Sequence, residues 1–229
     1  MTPRMTDQVY APAFEHIIFD LDGTLIDSRR DLTAAVNHVL RTFDLAELPL
    51  EAVCGYVGEG ARVLVQRALG PAHHDQLDEG LAVFLTYYGA HLLDHTQPYD
   101  GVPEVLAELA ARGIVLSVLT NKPAAMSRTI LDGLGLLPRF AAVVGGDSLA
   151  VRKPEAAGID YLLTVTGTSR ARTLLVGDSL IDVTTARAGH VAFCGVAWGL
   201  RRADLVGARV APIIADPRQL VRVVEVGHV

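Results

Sequence analysis

The stretch HIIFDLDGT at residues 16–24 decides the fold. Its first part, His16–Phe19, is a short continuous apolar run, which is typical of a strand buried on both faces. The run stops at Asp20, and Gly23 permits a tight turn after it. Strands buried on both faces occur in parallel sheets that helices cover on both sides. Residues 16–24 therefore predict an inner strand of a parallel sheet, with an acidic turn at its carboxyl end.

The rest of the chain repeats this pattern. Similar apolar runs are followed or preceded by helical patterns that end near a glycine. This alternation indicates βαβ units and a Rossmann-like parallel sheet, an α/β fold formed by residues 15–27 and 99–229. The further strands are expected at 115–119, 141–144, 173–176 and 191–193, and the helices at 103–112, 124–134, 155–165 and 181–188.

Residues 28–98 break the alternation. They carry helical patterns at 31–42, 60–69 and 75–94 with no convincing strand among them, which predicts an inserted all-helical cap. The insertion begins after the first strand, so it lies at the carboxyl edge of the sheet, where open α/β sheets bind ligands. Residues 1–14 are expected to form a flexible tail.

The composition excludes several classes of protein. Half of the 229 residues are hydrophobic and the formal net charge is −6, so no basic field exists to hold nucleic acid or an anionic membrane. Cys54 and Cys194 are far apart and outside any CxxC spacing, so neither a disulfide framework nor a zinc site is expected. No secretory or membrane-spanning segment is evident, which favours a cytoplasmic protein.

Asp20 and Asp22 are presented together at the end of the first strand. One carboxylate can attack phosphorus, and a second can protonate the leaving oxygen and later deprotonate a water molecule. This division of labour suits Asp20 as nucleophile and Asp22 as general acid and base. An ordinary Asp-Gly turn is the alternative, but the whole string Asp20–Thr24 after a buried strand favours catalysis.

Thr120 and Asn121 come where the second apolar strand ends. The Thr120 hydroxyl and nearby backbone N–H groups can meet a phosphoryl oxygen at a helix N-terminus. A simple helix cap uses the same geometry. We therefore expect Thr120, and with it Asn121, to contribute to substrate binding.

Asp178 and Asp182 follow the strand at 173–176 and bring two more acids to the same edge. Charges about 4 Å apart repel by about 4 kcal/mol per pair at an effective dielectric of about 20, so the site needs cations. A hard dication with oxygen ligands fits best, which predicts Mg²⁺. Asp182 could instead only cap the next helix.

Lys122 and Lys153 are the only lysines among 20 basic residues, and both lie beside the loops just described. A compact ammonium there can neutralise phosphate. Lys153 is the expected contact to the phosphate and to the nucleophile, whereas the role of Lys122 is left open.

Four ordered motifs resemble those of the haloacid dehalogenase superfamily: Asp20–Thr24, Thr120-Asn121, Lys153-Pro154 and Gly177-Asp178-Ser179 with Asp182. The resemblance spans nearly the whole chain. It implies a phosphatase that forms an aspartyl-phosphate at Asp20. It also implies Mg²⁺ on Asp20, the Asp22 backbone carbonyl and Asp178, with Asp182 supporting the metal shell.

The segment Gly55–Gly60, followed by Arg62, is similar to the cap loop of phosphoglycolate phosphatases. Arg62 is accordingly expected to pair with a substrate carboxylate, a solvated arginine being the alternative. The resemblance makes 2-phosphoglycolate the leading substrate. Open alternatives are sugar phosphates, N-acetylmuramic acid 6-phosphate or pyrophosphate, a sugar phosphomutase, and a catalytically silent binding or regulatory protein.

Overall fold

A computed structural model describes residues 13–226. Its described part contains a six-stranded sheet in the order β5-β4-β1-β6-β7-β8, in which every pair of neighbours is parallel, and a separate antiparallel pair, β2-β3. The strands are β1 (His16–Phe19), β2 (Ile26–Asp27), β3 (Gln97–Pro98), β4 (Val115–Leu119), β5 (Ala142–Val144), β6 (Thr173–Gly177), β7 (Ala192–Val196) and β8 (Ile213–Ile214).

The described residues also form ten α-helices. In chain order they are α1 (Arg29–Thr42), α2 (Leu50–Cys54), α3 (Ala61–Leu69), α4 (Leu77–Ala90), α5 (Val102–Ala111), α6 (Ala124–Gly133), α7 (Ala157–Thr166), α8 (Leu180–Ala188), α9 (Arg202–Gly207) and α10 (Leu220–Val226). Short 3₁₀ turns occur at Pro71–Gln76, Leu137–Arg139, Arg170–Arg172 and Pro217–Gln219. Among the described residues, no helix is both long and apolar enough to cross a membrane.

Strand β1 lies inside the sheet, as residues 16–24 predict. It pairs with β4 on one side and β6 on the other, and Ile17 and Ile18 are both fully buried. Ile17 belongs to the large core that continues under the insertion, whereas Ile18 packs on the other face against Leu175 and Ile159. The predicted α/β fold with a parallel sheet is confirmed.

The insertion is helical, and α1 to α4 lie between β2 and β3. Ile26 pairs with Pro98 and Asp27 with Gln97, so the outgoing and returning strands run side by side. The division into a core of 15–27 and 99–229 and a cap of 28–98 stays an interpretation of the sequence.

Several predicted boundaries shift. The helix expected at 75–94 starts at Leu77, after the 3₁₀ turn that Pro71 opens, and it ends at Ala90. The short elements β2, β3, α2, β8, α9 and α10 escaped the sequence analysis because two to seven residues carry too little periodicity. Strand β3 lies within residues 28–98, so the expectation of no strand there was wrong at its last two residues. The tail predicted at 1–14 lies mostly outside the described residues, but Phe14 is buried and the Ala13 N–H donates to the Val224 carbonyl at 2.9 Å.

Candidate active site

The carboxyl ends of β1, β4 and β6 meet at one edge of the sheet. Asp20 follows β1, Thr120 follows β4 and Asp178 follows β6, and all three line one cavity. The insertion supplies the opposite wall of this cavity: Leu32, Val57, Gly58, Gly60, Ala61, Leu64, Phe84 and Tyr88. The cavity therefore has an acidic floor and a largely apolar roof.

Asp20 is held by Lys153. The Lys153 Nζ lies 2.7 Å from Asp20 Oδ1 and 2.7 Å from Asp182 Oδ1, and all three side chains are buried. Burial raises the pKa of Asp20 to about 7, although the Lys153 ammonium works against the rise. The same two carboxylates hold the pKa of Lys153 above its usual range in spite of its burial. Lys153 thus stays charged beside the candidate nucleophile.

Asp178 completes a cluster of three carboxylates. Its Oδ2 accepts the Leu200 N–H at 2.6 Å and the Arg201 N–H at 3.3 Å. Ligand atoms of Asp20, Asp178 and Asp182 all lie within 4.8 Å of one another. Burial, and then the charges of Asp20 and Asp182, raise the pKa of Asp178 well above its usual value. Such oxygen donors suit a hard cation, which would offset their mutual repulsion.

Asp182 caps helix α8, which is one of the two roles considered for it. Its Oδ2 accepts the Ser179 N–H at 3.1 Å and its own N–H donates to Ser179 Oγ at 3.4 Å, which forms a capping box at the start of α8. Its Oδ1 accepts Lys153 at 2.7 Å. Asp182 therefore caps the helix and also fixes the ammonium that contacts Asp20.

Asp22 is held by Lys122 and Ser28. Lys122 Nζ lies 2.7 and 2.8 Å from the two Asp22 carboxylate oxygens, and the Ser28 hydroxyl donates to Oδ1 at 2.5 Å. The same ammonium lies 4.8 Å from the centre of the Tyr88 ring, on α4 of the insertion. Burial opposes the charge of Lys122, but the nearby Asp22 keeps the pKa of Lys122 above its usual range.

Thr120 and Asn121 occupy the expected edge with different partners. The Thr120 hydroxyl oxygen accepts the Lys122 N–H at 3.2 Å, which leaves its own proton to be donated. The Asn121 amide nitrogen donates to Gly58 O at 2.9 Å and to Lys153 O at 3.1 Å, while its buried Oδ1 has no partner among the described residues. The amide hydrogens of Asn121 are therefore used within the protein, and only Oδ1 is left to accept from a ligand.

Comparison with known proteins assigns the family. The model of the haloacid dehalogenase-like hydrolases matches residues 17–196. The chain belongs to this family. It is 42% identical to the phosphoglycolate phosphatase of Rhodospirillum rubrum over 87% of this chain and 86% of the relative. It is 38% identical to that of Colwellia psychrerythraea over 81% of this chain and 85% of the relative.

Solved structures agree with these relatives. A phosphoglycolate phosphatase predicted for Haemophilus somnus 129PT superposes with a TM-score of 0.87 at 32% identity. The match covers 92% of this chain and 98% of the other. The resemblance drawn from the four motifs is confirmed, and this haloacid dehalogenase-like hydrolase shares its helical insertion with a solved relative of nearly equal length.

Arg62 lies away from the residues that line the cavity of this haloacid dehalogenase-like hydrolase. Its guanidinium pairs instead with Asp78 at 2.8 Å, and half of the side chain is exposed. Arg62 is the second residue of α3, and the packing of this helix directs it to α4 rather than to the cavity.

Arg201 is a charged cavity residue that the sequence analysis missed. It lies in the segment after β7, at the same sheet edge as Asp20, and it lines the cavity. No motif marks this position. The general rule that parallel strands present their carboxyl ends together could have found it, because β7 is the neighbour of β6.

Proposed function

We propose that this hydrolase is a Mg²⁺-dependent phosphatase that removes phosphate from 2-phosphoglycolate through an aspartyl-phosphate at Asp20. The observation that carries the proposal is the 2.7 Å contact of the buried Lys153 ammonium with Asp20, which lines a cavity together with Asp178 and Thr120. The substrate is proposed from the relatives named phosphoglycolate phosphatase, which are 36–42% identical to this chain.

The proposed metal is Mg²⁺. Four carboxylates, those of Asp20, Asp22, Asp178 and Asp182, meet two lysine ammoniums. A phosphate dianion would add to this uncompensated negative charge, so a dication is needed. The Asp20 carboxylate, the Asp22 backbone carbonyl and Asp178 would hold it, with Asp182 supporting from behind through Lys153. When bound, the ion would neutralise charge on the phosphoryl oxygens.

The residues divide the reaction into two displacements. An Asp20 carboxylate oxygen attacks phosphorus, and the bond from phosphorus to the ester oxygen breaks as Asp22 gives that oxygen its proton. The Asp22 carboxylate then takes a proton from water, whose oxygen attacks the aspartyl-phosphate and releases inorganic phosphate and free Asp20. Lys153 and the Thr120 hydroxyl bind the phosphoryl oxygens during both steps.

The cavity suits a small anion. Two cationic side chains, Lys122 and Arg201, are among its lining residues, and leucine and aromatic groups form the roof. The substrate carboxylate would therefore meet Lys122 rather than Arg62. A small substrate can be enclosed between the roof and the floor, which keeps bulk water away from the reacting groups.

Phosphate release tests this proposal. The panel contains 2-phosphoglycolate, glucose 6-phosphate, N-acetylmuramic acid 6-phosphate and pyrophosphate, each with Mg²⁺ and with EDTA. The variants are Asp20→Asn and, as a matched control at an exposed position, Asp132→Asn.

We expect metal-dependent release with a preference for 2-phosphoglycolate, lost in Asp20→Asn and kept in Asp132→Asn. A preference for another ester would overturn the substrate and leave the chemistry at Asp20. Equal activity of Asp20→Asn would overturn the nucleophile. Silence of the wild-type protein on every ester would favour a binding protein on this fold. The cytoplasmic location and the lack of nucleic-acid or membrane partners stay predictions.

A further inference from the structure

Arg201 bridges the two walls of the cavity. Its backbone belongs to the sheet side, between β7 and α9, but its Nη1 donates to the carbonyl oxygen of Gly55 in the insertion at 2.6 Å. Its Nε donates to Asp204 Oδ2 at 2.6 Å, which orients the guanidinium from the other end. A planar guanidinium held at two of its nitrogens has a fixed direction.

The acceptor lies in a loop that shapes the cavity. This cap loop, Gly55–Gly60, connects α2 to α3, and Val57, Gly58 and Gly60 line the cavity directly. Its other end is also fastened from the sheet side, since Asn121 donates to Gly58 O at 2.9 Å. Arg201 and Asn121 both donate to backbone carbonyls, so these two contacts do not depend on the side chains of the cap loop.

The base of this bridge rests on Asp178. The N–H groups of Leu200 and Arg201 both donate to Asp178 Oδ2. Gly199 lies against the same carboxylate, so closely that a Cβ there would be 2.2 Å from Asp178 Cβ. The backbone of Arg201 is therefore placed by a candidate metal ligand while its side chain places the cap loop.

We propose that Arg201 is a positioning residue that fastens the cap loop over the cavity. This inference rests on the proposed function in taking the cavity as the site of reaction. Arg201 acts through Gly55: it sets where Val57 and Gly58 stand relative to Asp20, and so it determines how well a small substrate is enclosed. The cap loop encloses the bound substrate. Losing the hydrogen bond from Arg201 to Gly55 therefore weakens substrate binding more than it lowers kcat.

The test compares Arg201→Met with Arg202→Met, its exposed neighbour, and with the conservative Arg201→Lys. Methionine keeps an aliphatic stem and removes every donor. Hydrogen exchange is followed at the amides of Tyr56 and Val57, which donate to Val53 O and Cys54 O at the start of the cap loop. Steady-state kinetics use whichever ester of the panel the wild-type protein hydrolyses best, and circular dichroism and thermal melting report folding.

We expect Arg201→Met to speed exchange at Tyr56 and Val57 and to raise KM, each by about tenfold, the usual effect of losing a charged hydrogen bond. Its kcat should change less than about threefold, because no reacting atom is touched. Arg201→Lys should recover part of both effects and Arg202→Met should show neither. Unchanged exchange and unchanged KM in Arg201→Met would overturn the proposal, as would equal effects in Arg202→Met.

Failure of the proposed function gives a different result. If the wild-type protein hydrolyses no ester, faster hydrogen exchange in Arg201→Met still supports the positioning role of Arg201, and unchanged exchange overturns it. If Arg201→Met does not fold, Asp204→Asn replaces it, because that substitution removes the orienting partner and leaves the guanidinium in place. Exchange at Tyr56 and Val57 in Asp204→Asn should then be faster than in both the wild type and Arg202→Met, and exchange equal to theirs would overturn the proposal.

Discussion

Lys122 and Asp22 form a two-point ion pair, with the Lys122 ammonium 2.7 and 2.8 Å from the two carboxylate oxygens of Asp22. The ammonium also faces the ring of Tyr88 at 4.8 Å from its centre. Asp22, the proposed general acid, is thus held by Lys122, which also packs against Tyr88 in the roof of the cavity. Lys122, whose role the sequence left open, orients Asp22.

Replacing Lys122 with Met should lower kcat by about 10²-fold, because general acid-base catalysis contributes about 10²–10⁴-fold and requires a positioned carboxyl group. The loss should be smaller for p-nitrophenyl phosphate, since nitrophenolate leaves without a proton. Comparing kcat on both esters checks this, with Arg128→Met at an exposed position as control. Equal losses on both esters would show that Lys122 acts in a step that both esters share, and not in protonating the leaving group.

Replacing Gly199 with Ala should weaken Mg²⁺ binding. The added Cβ would lie 2.2 Å from Asp178 Cβ and 2.6 Å from its Oδ2, so the carboxylate has to move. Displacing a metal ligand by this much should cost about tenfold or more in affinity. Titration of activity and of melting temperature with Mg²⁺ measures it. Gly207→Ala, which meets no atom within 4 Å, is the matched control. Equal Mg²⁺ dependence in the two variants would remove Asp178 from the metal site.

Metal binding should release protons near neutral pH. Burial raises the pKa of Asp20 to about 7, and burial with repulsion from Asp20 and Asp182 raises the pKa of Asp178 well above its usual value. A dication needs both groups ionised, so the protons are expelled on binding. Calorimetry in two buffers of different ionisation enthalpy counts them. An observed enthalpy that is the same in both buffers would contradict this.

The same shifts set how the metal-free protein responds to pH. The folded state keeps protons on Asp20 and Asp178 that the unfolded chain has already released, so the free energy of unfolding should fall as pH rises from about 4 to about 7. Saturating Mg²⁺ should remove this fall. Chemical denaturation across that range, with and without the metal, measures both slopes, and identical slopes would count against the cluster.

His16 should make folding sensitive to acid in the opposite direction. It is fully buried on β1, with its ring nitrogens 2.8 Å from the Thr168 hydroxyl and 2.9 Å from the Ser117 hydroxyl. Burial lowers the pKa of His16 from 6.5 to about 4. Below pH 6.5 His16 binds a proton in the unfolded chain but not in the folded protein, so the free energy of unfolding decreases as pH falls.

The expected loss is up to about 2 kcal/mol between pH 7 and pH 5, one pKa unit being worth about 1.4 kcal/mol. Denaturation of the wild type and of His16→Gln at both pH values isolates this contribution, since the carboxylates are common to both proteins. If the difference in unfolding free energy between them does not change with pH, His16 is not the titrating group.

The sequence predicted the parts of the site that strand ends determine. Asp20, Thr120 and Asp178 each follow a buried apolar run, and parallel pairing brings such ends together whatever the details of packing. The pairing of Arg62 with Asp78 was not foreseen, because the direction of a side chain on a helix depends on how that helix packs, which residue spacing does not reveal. Arg201 was missed because it contacts the Gly55 backbone carbonyl, and every residue type carries such an acceptor, so no residue pattern marks the contact.

The side-by-side pairing of β2 and β3 has a consequence for how such proteins diversify. The chain leaves the sheet at Asp27 and returns at Gln97, and these two residues are paired with each other. The ends of the insertion are therefore already neighbours, which is the geometry that tolerates the exchange of one segment for another. A chimera that carries a relative's helices between these two points would leave the order of the parallel strands intact. It would alter the roof of the cavity and keep the acidic floor. The residues that select the substrate could therefore be exchanged while the residues that catalyse the reaction stay the same.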